Sequence, residues 1–572
     1  MRSFEDKQIR WLSIAFLFIA IVIIARLFVM QVYEHAYYDA LATGTHEIYE
    51  RLFPTRGTIY FQDTRTNTEY PVAVNKDFYL IYAVPNEIEP ADVVSTTDKL
   101  AVILKVDDIE KQKLLEKLSK IGDVYESIAK KQSENAINEI KAQGLPGIHA
   151  TAQTFRYYPE NDLAGNILGF TGFDDNGNLV GSYGVEGYWN KIISGRGGFL
   201  FGEKGAKGGW IALAGRTLTP AEDGADLVLT IDRAIEFKAC ERLKVGMEEY
   251  KAKSASLTLL DPKTGAIIAM CSYPSFDPNN YSKVEDERAF NNTNIFTPYE
   301  PGSVFKPITM SAALDLNLVN PNTTFTDPCT RKFSNFTIHN ALNKCHGTIT
   351  MTNVLENSVN TGMIWVEEKI GQDKFHEYVD KFGFGQKIGA TMNTEAKGNV
   401  DQLDRKRAVD YATASFGQGI TVTPLQLAMA YGALANGGRM FKPYVVSEVR
   451  YANGKKEKTE PEMIDNVVSE YTSKIITGML TSVVEKTYFR SVKMKDYFIA
   501  GKTGTAQIPG PGGYGEETNH TFAGYFPAEN PRWVMIVKYE APERQWAEST
   551  AAPVFKDVAD FVLDYYAVKK ER

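Results

Sequence analysis

Apolar and polar positions divide this chain into stretches of different character. Trp11 to Ala25 carries no charge, and Leu27 to Met30 continues the run after Arg26. About twenty such residues at helical rise cross a bilayer core of about 30 Å, so 11–30 reads as a membrane anchor. From His35 to Asp98 the pattern is one of short strands and turns. Lys99 to Ala142 is charged, with Leu114, Leu115, Leu118 and Ile121 at helical spacing, and predicts helix with a solvated face. Leu227–Thr230 reads as a short strand, and about Arg233 to Lys251 as a helix.

The pattern changes again from Ser254. Ser256–Leu260 and Ala266–Met270 are apolar strand segments, and Asp261-Pro262-Lys263-Thr264-Gly265 between them has the composition of a turn. Pro301-Gly302 is a breaker. After it Val304, Phe305, Ile308, Met310 and Leu314 trace a buried helix. A long helix-rich region follows, then strands at Thr521–Phe526 and Trp533–Tyr539 and a last helix over about Ala552 to Lys569.

The chain has 572 residues, 44% of them hydrophobic, which allows two or three domains with a large core. Its net charge of −8 and lack of a concentrated basic run argue against nucleic acid as a partner. Arg2, Lys7 and Arg10 precede the apolar run and predict a cytoplasmic N-terminus, with everything after Met30 outside. A cleavable signal peptide ending at Ala40-Leu41-Ala42 fits less well, because that site lies well beyond the apolar stretch. The glycines between Gly195 and Gly215 carry no G-K-[ST] and predict flexible hairpins rather than a phosphate loop.

Four cysteines are too few for a disulfide framework. Cys240 and Cys271, in apolar surroundings, read as core residues. Cys329 and Cys345 flank a polar loop with His339 and His346 nearby; free thiols or one loop disulfide fit better than zinc, whose usual spacings are absent. No H-E-x-x-H occurs, and no cofactor is called for.

The candidate chemistry lies in three short motifs in order: Ser303-Val304-Phe305-Lys306, Ser358-Val359-Asn360 and Lys502-Thr503-Gly504. S-x-x-K, S-x-N and K-T-G together mark a serine acyl-transfer site. A second ordered set exists: Ser127 with Lys130, Ser133 with Asn135, and Lys263-Thr264-Gly265. Two residues separate Lys130 from Ser133, on one charged helical stretch or two adjoining ones, and Lys263 sits in a hairpin turn. Catalytic groups must converge from separate elements, so this set reads as surface. Ser303 begins a helix, where free N–H groups and the helix dipole favour negative charge, and Lys306 follows one turn later on the same face.

These motifs resemble those of class B penicillin-binding proteins. The resemblance covers nearly the whole chain and includes Arg56-Gly57, Arg156-Tyr157-Tyr158-Pro159, Gly184-Val185-Glu186-Gly187, Asp261–Gly265, Ser415-Phe416-Gly417-Gln418-Gly419 and Thr423-Pro424-Leu425-Gln426. Division-type transpeptidases are the nearest match and the elongation type the near alternative; Lys502-Thr503-Gly504-Thr505 has threonine where some division enzymes have serine.

The resemblance implies an α+β fold. It predicts a cytoplasmic tail (1–10), a single transmembrane helix (11–30), an elongated mixed α/β pedestal (31–250) and a transpeptidase domain (251–572) with an antiparallel sheet between helices. It implies a peptidoglycan D,D-transpeptidase of the cytoplasmic membrane with its catalytic domain outside, acting on stem peptides and acylated by β-lactams. A membrane-embedded glycan polymerase and divisome proteins would be its partners. Ser303 would be the nucleophile, Lys306 its base, Ser358 a proton relay, and Asn360 a holder of Lys306 and substrate. Lys502, Thr503 and Thr505 would bind the substrate carboxylate, Ser303 and Thr505 would supply oxyanion-hole N–H groups, and Gly504 would allow close approach of the acyl group. A D,D-carboxypeptidase, a β-lactamase or a non-catalytic scaffold are the competing readings.

Overall fold

The computed structural model describes residues 16–33, 47–120, 122–174, 178–203, 217–334, 336–486, 491–510 and 513–572. Two compact units result. The smaller comprises 1–56 and 194–224, the larger 57–193 and 225–572.

In the smaller unit, Glu47–Leu52, Gly198–Glu203 and Thr217–Thr219 form a three-stranded antiparallel sheet. Residues 16–28 are α-helical and Val29–Tyr33 continue as a π-turn. Among the described residues no helix is long and apolar enough to cross a membrane. Residues 1–15, which hold the start of the expected anchor, and the alternative cleavage site at 40–42 lie outside the described residues, as does 204–216 of the glycine-rich stretch.

The larger unit is organised around two sheets. In the C-terminal sheet the strand order is Ile267–Tyr273, Ser254–Leu260, Trp533–Glu540, Gly513–Phe526, Ala500–Gly510, all antiparallel. Its strands are apolar on both faces because helices cover both. Val534, Ile536, Ala523 and Tyr525 enter one core with the helices Lys306–Asp315, Pro424–Ala435 and Glu470–Lys486. Met535, Val537, Phe522 and Phe526 enter the other with Arg233–Tyr250 and Ala551–Tyr565. The period-2 alternation within Trp533–Val537 thus sorts an unbroken apolar run between two cores.

The second sheet runs Lys456–Lys458, Val446–Arg450, Asp226–Asp232, Ile59–Asp63, Thr68–Ala83, Glu126–Gln132, with Ile148–Tyr157 also pairing with Thr68–Ala83. Its parallel pairing of Asp226–Asp232 with Ile59–Asp63 requires Gly57, where a Cβ would meet Ala225 O at 1.9 Å. Two strands from the C-terminal half of the chain therefore complete a sheet built mainly from its N-terminal half. Arg450 fixes the join by a bidentate bridge to Glu69.

Several sequence expectations change here. Thr68–Ala83 is one 16-residue strand rather than several short ones. The charged stretch is not helical throughout: Val93–Leu104 and Asp108–Leu118 are helices, but Glu126–Gln132 is a strand. Pairing with Tyr79–Ala83 overrides the weak helical propensity of this segment. Cys240 and Cys271 are buried as expected but are disulfide-bonded to each other, stapling the Arg233–Tyr250 helix to the first sheet edge. Cys329 and Cys345 form a second disulfide, which uses both sulfurs that the zinc alternative required.

Two segments of the resemblance meet in a buried ion pair. Arg156 Nε donates to Glu186 Oε1 at 2.7 Å, both side chains inaccessible, and Tyr158 Oη donates to the same carboxylate at 3.4 Å. Removing one partner strands a buried charge, so Glu186→Ala is expected to destabilise the larger unit by about 3–5 kcal/mol, read by denaturant unfolding.

Candidate active site

Three separate elements bring the first motif set together. Gly302–Phe305 forms a 3-10 turn that runs directly into the helix Lys306–Asp315. The turn and the helix that follows it are anchored by three contacts. Gly302 N donates to Gly417 O at 2.9 Å, Tyr431 Oη donates to Val304 O at 2.7 Å, and Thr309 Oγ1 donates to Ser415 O at 2.8 Å. The glycines allow this contact: Gly302 and Gly417 have φ of +58° and +82°, and a Cβ on Gly417 would lie 2.2 Å from Gly302 O.

Ser358 lies in the bend between the helices Met351–Glu356 and Asn360–Ile370, with φ of +53°. A non-glycine residue in this left-handed region carries strain that its surroundings must hold in place. The strain has a local consequence: it turns both oxygens of Ser358 toward one amine. Lys306 Nζ contacts Ser358 O at 2.5 Å, Ser358 Oγ at 2.9 Å and Asn360 Oδ1 at 2.8 Å. Ser358 Oγ in turn lies 2.9 Å from Ser303 Oγ. The amide of Asn360 is oriented by its Nδ2 donating to His339 O at 2.9 Å, so Oδ1 faces the lysine.

Lys306 is fully buried, and burial together with the nearby Lys502 cation pushes its pKa well below the usual lysine range. A neutral amine has two N–H donors and one lone pair. Two of the three partners, Ser358 O and Asn360 Oδ1, are pure acceptors and take the two N–H groups. The Ser358 hydroxyl is the third partner and reaches on to Ser303, so the three side chains form one hydrogen-bonded chain.

Lys502, Thr503, Gly504 and Thr505 lie on Ala500–Gly510, at one edge of the C-terminal sheet. Gly504 packs against the serine turn, where a Cβ would meet Pro301 O at 3.0 Å and Val304 Cγ1 at 3.1 Å. Close approach of the turn, rather than of an acyl group, is the contact that the structure shows for this glycine. Lys502 Nζ donates to Thr503 O at 3.0 Å; burial pushes its pKa down to about 8, while the Glu548 carboxylate acts in the opposite direction.

The second motif set is dispersed. Ser127 and Lys130 are on the strand Glu126–Gln132, and Ser133 caps the helix Glu134–Gln143 by accepting from Ala136 N, with Asn135 in its first turn. Lys263 is in the turn between Ser254–Leu260 and Ile267–Tyr273, its Nζ on Asn530 Oδ1 at 3.3 Å.

Known proteins resemble this chain over most of its length. The penicillin-binding protein transpeptidase domain matches residues 255–560, and the penicillin-binding protein dimerisation domain matches 51–229. The chain belongs to the class B penicillin-binding proteins. It is 32% identical over 508 residues to stage V sporulation protein D of Bacillus subtilis, covering 88% of this chain and 77% of that one. It is 28% identical over 500 residues to the peptidoglycan D,D-transpeptidase FtsI of Escherichia coli, covering 86% and 81% respectively. A solved peptidoglycan synthetase of Bifidobacterium adolescentis matches with a TM-score of 0.71 at 25% identity, over 92% of this chain and 98% of that one. This penicillin-binding protein is accordingly a serine-type peptidoglycan D,D-transpeptidase.

Sequence reasoning missed two groups beside the transpeptidase motifs. Glu300 accepts from Gly419 N at 2.9 Å and from Tyr514 Oη at 3.0 Å, which ties the Ser415–Gly419 loop to the long hairpin that carries Lys502. Glu548, in the 3-10 turn Ala547–Ser549, accepts from Thr503 Oγ1 at 2.7 Å. Glu548 is 45 residues from Thr503 and falls in no motif, so only the fold reveals it.

The Gly302–Gly417 contact yields a test. Gly417→Ala is expected to cost about 1–3 kcal/mol by overpacking and to slow acylation by a fluorescent penicillin. Unaltered acylation would show that the turn does not depend on this contact.

Proposed function

We propose that this penicillin-binding protein cross-links peptidoglycan stem peptides through Ser303, with Lys306 as the base acting through Ser358. The observation that carries this reading is the chain of contacts Ser303 Oγ to Ser358 Oγ (2.9 Å) to Lys306 Nζ (2.9 Å), with the remaining lysine donors occupied by carbonyl oxygens. Ser303 Oγ attacks the carbonyl carbon of the penultimate D-alanine as its proton passes to Ser358, whose own proton passes to Lys306. The new C–O bond gives a tetrahedral oxyanion, held by the Ser303 and Thr505 backbone N–H groups; one such donor is worth about 10²–10³ in rate.

The C–N bond then breaks, and the proton returns along the same path to the departing D-alanine amine. The acyl-enzyme is resolved by an acceptor amine of a second stem peptide, which forms the new amide and restores Ser303. Asn360 orients Lys306, and Lys502, Thr503 and Thr505 bind the substrate's terminal carboxylate. The free edge of Ala500–Gly510 suits an extended peptide added as a further strand. A β-lactam acylates the same serine.

The relatives named for division and sporulation support a place in septal wall synthesis, with a glycan polymerase and divisome proteins as partners. The uncharged run Trp11–Ala25 and the exposed apolar side chains of Phe16, Leu17 and Phe18 support a single-pass anchor in the cytoplasmic membrane with the catalytic domain outside. Full-length protein should then stay with the membrane after alkaline carbonate washing, and release into the wash would remove the anchor.

Ser303→Ala should abolish covalent penicillin labelling, and Ser358→Ala should slow acylation by about 10²–10⁴; equal labelling of Ser303→Ala would remove it as nucleophile. The acylation rate should rise with pH as Lys306 loses its proton and fall as Lys502 loses its own near pH 8. A rate that keeps climbing well past pH 8 would remove the Lys502 cation from ligand binding. With stem peptide and acceptor amine, the products should be D-alanine and cross-linked dimer; D-alanine without dimer would make the enzyme a carboxypeptidase.

A further inference from the structure

Thr503 has one hydroxyl proton, and Glu548 holds it. The Thr503 Oγ1 to Glu548 contact is 2.7 Å, and the neighbouring Ala547 N donates to Thr505 Oγ1 at 3.1 Å. One short turn, Ala547–Ser549, therefore engages both threonine hydroxyls of the Lys502–Thr505 strand. The two contacts differ in consequence. A hydroxyl has one donor and two acceptor sites, so Thr505, which only accepts here, still has its proton to offer. Thr503 does not. Any ligand carboxylate that needs the Thr503 donor has to replace the Glu548 carboxylate on it, and the two anions repel each other across that short distance.

We propose that Glu548 is a positioning residue that sets the enzyme's selectivity for the terminal carboxylate of its ligands, by occupying the Thr503 hydroxyl until a ligand carboxylate displaces it. The inference rests on the reading of Thr503 as a carboxylate-binding residue. Two opposing effects are built into one side chain. Glu548 competes with an anionic ligand for Thr503, which weakens initial binding. It also supports the charged form of Lys502, whose ammonium attracts that same ligand. Glu548 faces the Thr503 hydroxyl and the Lys502 ammonium, and Lys502 in turn faces Lys306; His520, which bonds Thr550 beside the turn and pairs with Thr505, is kept neutral by burial with its pKa pushed down to about 4. The balance depends on pH. Where Lys502 is protonated in any case, competition dominates and Glu548 is a hindrance. As pH approaches 8, support of the Lys502 charge dominates and Glu548 becomes an aid.

The test uses the full-length protein with benzylpenicillin, which carries the carboxylate, and its methyl ester, which does not. Binding before acylation and the acylation step are measured separately across pH. At pH 6.5, Glu548→Gln should bind benzylpenicillin about five- to tenfold more tightly, as loss of a charge-assisted hydrogen bond and of like-charge repulsion implies, with the methyl ester unchanged. The alkaline limb of its acylation profile should move to lower pH. Glu548→Asp, which keeps the charge on a shorter stem, should restore the wild-type ratio between the two ligands in part. Thr503→Val separates the two levels of the argument. If it leaves the preference for the carboxylate ligand intact, the carboxylate-binding reading of Thr503 fails. If it erases that preference while Glu548→Gln leaves both the ligand ratio and the alkaline limb at wild-type values, the role of Glu548 alone is overturned.

Discussion

The amine of Lys306 is the constraint on which the site depends. A charged ammonium without solvent in a protein interior costs several kcal/mol unless it is fully paired, and no carboxylate contacts this one among the described residues. The lower-energy solution is a neutral amine with its N–H groups on carbonyl oxygens, and the surrounding structure is arranged to supply them. The left-handed backbone of Ser358 directs its carbonyl and its hydroxyl to the same nitrogen. Asn360, at the start of the next helix, adds a third oxygen, and its amide is set by the backbone of His339. Burial therefore does two things at once: it favours the neutral amine, and it penalises any arrangement in which that amine loses its partners.

Lys502 extends the same logic. Two lysines share a water-poor corner and each makes the other's charge more costly. The shared cost falls mainly on Lys306, since Lys502 is assisted by Glu548 and no acidic group among the described residues assists Lys306. Two identical side chains thereby differ in charge preference, Lys306 being pushed further toward the neutral amine than Lys502. The edge position of the Lys502 strand provides the geometry: the serine turn packs against it at Gly504 and, through Gly302, at Ala506, where an added Cβ would lie 3.0 Å from Pro301 O and 2.8 Å from Ala506 Cβ.

Much of this was legible in the sequence. Ser303, Lys306, Ser358, Asn360 and Lys502 are brought together as the motif order implied, because spacing and local patterning distinguish them from the Ser127 set even where the local structure was misjudged. The strand Glu126–Gln132 escaped because its lysines and glutamates match a solvated helix as well as an exposed strand, and only the partner Tyr79–Ala83 decides between them. Cys240 and Cys271 were legible as buried but not as bonded, since pairing depends on a helix lying across a strand 31 residues away. Glu548 and Glu300 were invisible for a similar reason: each acts through a contact whose partner is distant in sequence, and a lone glutamate carries no pattern. Local chemistry is written in short motifs, whereas the groups that modulate it are placed by the fold.

The borrowed strand Val446–Arg450 has a consequence for how the molecule comes into being. It joins a sheet whose other strands include Asp226–Asp232, Ile59–Asp63 and Thr68–Ala83, and Arg450 closes on Glu69. Val446–Arg450 covers the edge of Asp226–Asp232; roughly 210 residues separate Asp232 from Val446, and at about 5–20 residues per second a ribosome needs on the order of 10 to 40 s to make them. For that interval the nascent N-terminal strands present an unpaired, partly apolar edge. Biogenesis thus contains a waiting period in which a half-built sheet must be kept from other edges, and the transpeptidase domain, once made, is what ends the wait.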